Sequence, residues 1–214
     1  MSQSIKINIA ANEVFPCDVP GCTSKRHRVA KYCYKHWLAY RRWGHPEAKA
    51  IHHREYKPQI DEVARLLDAN PEHKGVQLGI TFIERWIDSA VTMGAGPCPE
   101  RVAKFQGVIS PRTLLVELAA VWVYTKDHPE KVKHDTHLRH ILGNRILTYG
   151  SRVRELWEPH GSSVARVKGK EAREAGRVIL VHIGELLKTI HSAVLEKRRV
   201  MVEKAEAQKE KFTL

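Results

Sequence analysis

Long apolar runs are missing from this chain. None approaches the roughly 18 consecutive residues that a membrane span requires, and no charged-then-apolar leader opens the sequence. A cytoplasmic protein without a membrane partner is therefore expected. Cysteine is scarce, at four residues in 214. Three of the four cluster and would leave one unpaired, which argues against a disulfide framework. Acids are also short: 24 Asp and Glu stand against 36 Lys and Arg, giving a net charge of +12. That balance excludes a preference for cationic partners and favours phosphate backbones or anionic surfaces. The common catalytic signatures are absent as well: no phosphate-binding Gly-x4-Gly-Lys-Ser/Thr loop, no Gly-x-Gly-x-x-Gly after a strand, no Gly-x-Ser-x-Gly elbow. These absences weigh toward a protein that is not an enzyme. No internal repeat is visible.

What is present begins with Cys17, Cys22, Cys33 and His36, spaced Cys-x4-Cys-x10-Cys-x2-His. Zinc takes four soft or borderline ligands in a tetrahedron, and this set can close a structural shell with no open position. Pro20-Gly21 sits where a knuckle must fold back on itself. Cys33 and His36 are three apart, so both point to one face if a helix starts there. One structural zinc ion is the expected cofactor.

At these residues a resemblance emerges. Cys17-Asp-Val-Pro-Gly-Cys22, Tyr32-Cys33-Tyr34-Lys35-His36 and Tyr40-Arg41-Arg42-Trp43-Gly44-His45-Pro46 together resemble a small zinc-binding module of bacteriophage proteins, found notably beside the nuclease domain of HNH endonucleases. The resemblance spans Cys17–Pro46. It implies a metal-pinned basic helix whose aromatic and Arg residues touch nucleic acid, and a phage or mobile-element origin. The sequence departs from the family at Ala30-Lys31-Tyr32, where a Gly often precedes the third Cys. The accompanying nuclease is not found: His134, Asn144 and His160 lack the flanking strand pattern of a ββα-metal site.

Charge distribution agrees. Between Pro16 and Pro58, ten Lys and Arg oppose three acids, Asp18, Glu47 and Glu55, so +7 of the +12 lies there. Lys25, Arg26, Arg28, Lys31, Lys35, Arg41, Arg42 and Trp43 are the candidate nucleic-acid contacts of this region. Tyr32, Tyr34, Trp37, Tyr40 and Trp43 are interleaved with the cations and suit either base stacking or a miniature core. Trp37 and Tyr40 are assigned to packing, and Tyr34 and Trp43 are left open. A second basic surface is expected from Arg139, Arg145, Arg152, Arg154, Arg166, Lys168 and Lys170, of which Arg152, Arg154, Lys168 and Lys170 are the candidate contacts. His128, His134, His137 and His140 read as a solvated basic face rather than a second metal site. His182 and His191 read as interior or boundary histidines. Cys98, between two prolines, reads as a loop thiol.

Beyond the module the periodicity is helical. Ile60, Val63, Leu66 and Leu67 form one amphipathic stretch, and Ile80, Ile83, Ile87, Ala90 and Val91 another. Ser110-Pro111 reads as an N-cap with Pro at the first helical position, opening the most buried helix through Leu114, Leu115, Leu118, Val121 and Trp122. A helix over about 130–157, bending near Gly150, precedes a loop at 158–163. A last helix, from about Gly169 to Gln208, ends in a charged tail. Ile5–Ile9 alternates with period two and reads as a strand without a visible partner.

The expected architecture is mainly α, with a zinc-knuckle module over 1–57 followed by an α-helical bundle of five or so helices over 58–214. The expected function is zinc-stabilised, non-enzymatic binding of DNA or RNA. Two alternatives are a protein-binding modulator or component of a larger phage assembly that docks through the zinc module, and a divergent metal-dependent nuclease. The bundle offers a surface for a protein partner or self-association.

Overall fold

A computed structural model describes residues 3–149 and 167–212. Among the described residues there are eight α-helices and no strand, only a single antiparallel bridge between Pro16 and Lys25. The mainly α class is therefore as expected. The expected strand at Ile5–Ile9 is not: these residues lie within α1 (Gln3–Asn12), with Ile7 65% exposed. A lone strand leaves its backbone groups unpaired, whereas a helix satisfies them internally, and with no partner strand the helix prevails.

The bundle is built around α6 (Pro111–Asp127), in which every residue from Leu114 to Thr125 is buried. The Ser110 hydroxyl accepts a hydrogen bond from the Thr113 N–H at 3.1 Å, and Pro111 follows as the first helical residue. Around α6 pack α3 (Lys57–Asp68), α4 (Lys74–Met93), α7 (Asp135–Tyr149) and α8 (Gly169–Phe212). The stripes read from the sequence contribute Val63 and Leu67 from α3 and Ile83 and Ile87 from α4, and α8 adds Ile179, Ile183, Leu187, Ile190 and Val194. Fully burying one such side chain contributes about 1.5–3 kcal/mol. A short helix, α5 (Pro99–Val102), and a following turn close one end with Val102 and Phe105. Cys98, just before α5, is buried in this core, and burial together with Glu171 pushes its thiol up to about 12.

The helix expected over about 130–157 starts later, at Asp135, after a turn at Pro129–Lys131. The bend near Gly150, the positions Val153 and Leu156, and the loop at 158–163 lie outside the described residues. α8 carries a window of mean hydropathy 1.5, which makes it long and apolar enough by composition to cross a membrane; a third of that window is buried. Its buried positions recur every three to four residues, a single stripe docked on the bundle. Among the described residues Arg198 is the last to tie this helix to the bundle by an ion pair, bonding both Glu62 oxygens at 2.8 and 2.7 Å and both Asp127 oxygens at 3.0 Å.

Candidate metal centre and cationic cleft

The knuckle forms where the sequence predicts it. Cys22 N–H bonds the Val19 carbonyl at 3.0 Å, closing a turn over Pro20 and Gly21, whose φ of +75° is the left-handed conformation that glycine tolerates best. Cys17 N–H bonds Ser24 O at 2.9 Å and Asp18 N–H bonds Lys31 O at 3.1 Å, so the two halves of the loop are stitched together. Cys33 is the N-cap of α2 (Tyr34–Trp43), and that places His36 one turn into the helix on the same side.

Cys17, Cys22, Cys33 and His36 bring their ligand atoms within 4.8 Å of one another, a group that can hold a metal ion. Tetrahedral bonds of about 2.3 Å to sulfur and about 2.0–2.1 Å to imidazole nitrogen would put ligand atoms roughly 3.5–3.8 Å apart. The observed separations are 3.3 Å from Cys17 Sγ to His36 Nδ1, 3.5 Å from Cys33 Sγ to His36 Nδ1, and 4.0 Å from Cys22 Sγ to Cys33 Sγ. The donors thus fit a four-coordinate ion. The Ser24 backbone N–H lowers the Cys22 thiol pKa, while burial raises that of Cys33. Among the described residues, the apolar side chains clustered with the ligands are Val19 and Tyr32.

Several of the candidate contacts have other work. Arg26 forms an ion pair with Asp18, donates to Pro16 O at 3.1 Å and lies over the Phe15 ring, so it braces the loop. Arg28 is exposed at φ +51°, its N–H bonded to Glu13 Oε1 at 3.1 Å. Lys25, Lys31 and Lys35 are exposed. Arg41 lies over the Trp37 ring at 4.9 Å and Arg42 over Trp43 at 5.0 Å, pairing each exposed guanidinium with an aromatic face. Tyr40, assigned to packing, is 48% exposed although its ring meets Tyr32. A ten-residue helix docked by one face leaves its other face wet. Tyr34 is exposed, and Trp43 half-buried.

The C-terminal end of α2 runs into the first turn of α8. Gly44 caps α2 at φ +83°, and its carbonyl accepts from Thr136 Oγ1 at 2.9 Å. The Arg41 carbonyl accepts from Arg173 Nη1 at 3.3 Å. Facing the negative end of one helix dipole to the positive end of the other is favourable. Beside this junction opens a cleft of about 420 Å³, lined by Tyr40, Arg41, Gly44, Thr136, Lys168, Gly169, Lys170 and Arg173. Two basic stretches far apart in sequence, 41–42 and 168–170, therefore meet at one place. Lys168 also pairs with Glu171 at 3.3 Å; among the described residues no carboxylate lines the cleft itself. Arg173 and Thr136 were not singled out in the sequence, although Arg173 follows Lys170 by three residues and so shares its helix face. Arg152, Arg154 and Arg166 lie outside the described residues.

The second basic surface and the histidine patch need correction. Arg145 is 8% exposed and bonds Glu117 Oε2 at 2.9 Å through Nε. His137 and His140 are 0% and 5% exposed, not solvated. His137 donates from Nε2 to the Lys49 carbonyl at 3.0 Å, and its Nδ1 accepts the Lys133 N–H at 3.4 Å, so this neutral ring staples the segment after α2 to α7. Imidazole is amphipathic, and between two packed segments burial of the ring outweighs hydration of its nitrogens. His182, by contrast, is exposed and stacks on Phe82, while His191 is half-buried as expected. His134 precedes α7 and Asn144 lies within it, among helices only; His160 lies outside the described residues.

Burial pushes His140 down to about 4, with His137, Arg173 and Arg42 adding to the effect. The unfolded chain protonates this residue near pH 6.5, the folded chain only near 4, so stability present above pH 6.5 is lost as pH falls through that window. We expect about 2 kcal/mol less stability at pH 5 than at pH 7 from His140 alone. Urea titrations at the two pH values check this, and His140→Phe should flatten the difference; an unchanged slope would refute the assignment.

No family model matches the chain, and neither a curated protein nor a solved structure does.

Proposed function

We propose that the protein binds nucleic acid without catalysing a reaction on it, a zinc ion holding α2 in place as part of the binding surface. The observation that carries this reading is the convergence of Arg41 from the module with Lys168, Lys170 and Arg173 from the bundle around one cleft, with no carboxylate lining it among the described residues. Four cations around a groove, with Tyr40 among them, match a backbone of phosphates and an unpaired base to stack. A three-sulfur, one-imidazole donor set is the soft, tetrahedral kind that selects zinc, and four protein ligands leave no position for a substrate. The resemblance of Cys17–Pro46 to phage zinc modules supports the same reading and a phage or mobile-element origin.

The test is a titration of zinc-loaded protein against single- and double-stranded DNA and RNA at two salt concentrations. Binding should weaken steeply with salt, because each neutralised phosphate releases counterion. The double variant Arg41→Glu, Lys170→Glu should lower affinity at least about tenfold and flatten the salt dependence by about two phosphates. A Glu in the first turn of α8 favours that helix, so the loss would not come from unfolding. Unchanged affinity in this variant would remove the cleft as the binding surface.

A further inference from the structure

Beneath the junction of the module and the bundle lies a second pocket, smaller and deeper than the cleft. It has a volume of about 80 Å³, and its lining includes Arg42, Trp43, Lys49, His140, Asn144 and Arg145. Two of these side chains are more than nine-tenths buried and keep a polar atom without a hydrogen-bond partner among the described residues: His140 Nδ1 and Arg145 Nη2.

Arg145 cannot swing away to find a partner elsewhere. Its Nε is bonded to Glu117, and its guanidinium lies 5.2 Å from the Tyr56 ring and 5.6 Å from the Tyr149 ring. The His140 ring already engages the Gly169 backbone, so Nδ1 is the nitrogen left for the pocket. A buried donor left without a partner is costly, and a fold that retains one generally has a partner for it. The space is adequate: one water needs about 10–15 Å³ by the same measure, so the pocket holds several waters or one group with four oxygens. Among the described residues no Asp or Glu lines it, whereas Arg42, Lys49 and Arg145 do.

We propose that this pocket binds a tetrahedral oxyanion of the phosphate class. Arg145 Nη2 and Lys49 meet its charged oxygens, and a protonated oxygen donates to His140 Nδ1. A guanidinium edge suits such an oxyanion better than a point charge does. Free phosphate and the terminal phosphate of a polynucleotide share this chemistry. The inorganic arm of the test does not depend on the nucleic-acid reading of the cleft, so the two can fail separately.

Thermal melts and calorimetric titrations of the full chain with sodium phosphate, against sodium chloride at matched ionic strength, test it. Wild type should show single-site binding and a phosphate-specific rise in melting temperature. Arg145→Lys keeps a cation beside Glu117 but removes the free nitrogen, and should weaken phosphate at least tenfold. Lys49→Gln alters an exposed residue, should fold as wild type does, and should weaken it comparably; it decides the matter should Arg145→Lys not fold. Equal affinities in folded variants, or no effect beyond that of chloride, would overturn the site. Competition of inorganic phosphate with a 5′-phosphorylated but not a 5′-hydroxyl oligonucleotide would assign the pocket to polynucleotide ends, and its absence, with phosphate still bound, to the free oxyanion.

Discussion

Gly143→Ala is expected to lower the melting temperature by roughly 10 °C, the equivalent of about 3 kcal/mol or more. A Cβ at Gly143 would lie 1.8 Å from the Ala172 carbonyl oxygen and 2.6 Å from Gly176 N, and one at Gly176 would lie 1.9 Å from the Arg139 carbonyl oxygen. All of these neighbours are backbone, so no side chain can turn aside, and α7 and α8 would have to move apart along their crossing. Gly184 lies in the same long helix with nothing within 4 Å of the place a Cβ would take. There Ala should stabilise by about 0.5–1 kcal/mol, because it restricts the unfolded chain and favours the helix. Opposite signs from one substitution type in one bundle are a demanding check, read by circular-dichroism melts of both variants. A Gly143→Ala protein that melts with the wild type would mean that the crossing is looser than described.

Cys33→Ser should release the metal and unfold the knuckle while leaving the bundle's cooperative melt in place. Among the described residues the centre's apolar cluster holds only Val19 and Tyr32 besides the ligands, and none of its four ligands belongs to the large core. Structural zinc supplies about 10–16 kcal/mol to comparable small modules at neutral pH, far more than such a cluster could replace. Elemental analysis should find one zinc per wild-type chain and almost none in the variant. Amide resonances of the knuckle should collapse toward unfolded positions, while those of α6 stay. If the proposed function holds, nucleic-acid affinity should fall at least about tenfold, because α2 would lose its N-terminal anchor. A variant that retains full zinc, or a knuckle indifferent to a chelator, would dismiss the assignment.

The sequence was most informative where a local rule was sufficient. Ligand spacing located the Cys17, Cys22, Cys33 and His36 cluster, Pro20-Gly21 located its turn, and Ser110-Pro111 with the apolar run behind it located the buried helix. These features depend on neighbours a few residues apart. What depended on distant partners was not legible. Ile5–Ile9 alternates like a strand, but strandhood needs a second strand that the chain does not place there. His137, His140 and Arg145 look like surface cations in one dimension and become interior groups once the segment after α2 lies across α7. The cleft is a further case: Arg41 and Lys170 were each recognised as basic, and only their meeting gives either one a site. Arg173 carried only the weak local mark of sharing a helix face with Lys170, and Glu117, buried in α6 against Arg145, carried none.

α8 has a geometric consequence beyond packing. At 1.5 Å per residue, a helix of 44 residues is about 66 Å long. Its first turn forms a wall of the cationic cleft, and among the described residues Arg198 is the last to pair it with the rest of the bundle. Beyond that point Met201 and Val202 stand 65% and 56% exposed. Helix α8 thus acts as a boom that carries the cleft at one end and its exposed last turns at the other. Anything seated in the cleft is held at a fixed reach from anything that meets the tip, as two objects are by a strut, and shortening the tip by whole turns would shorten that reach in steps of about 5.4 Å.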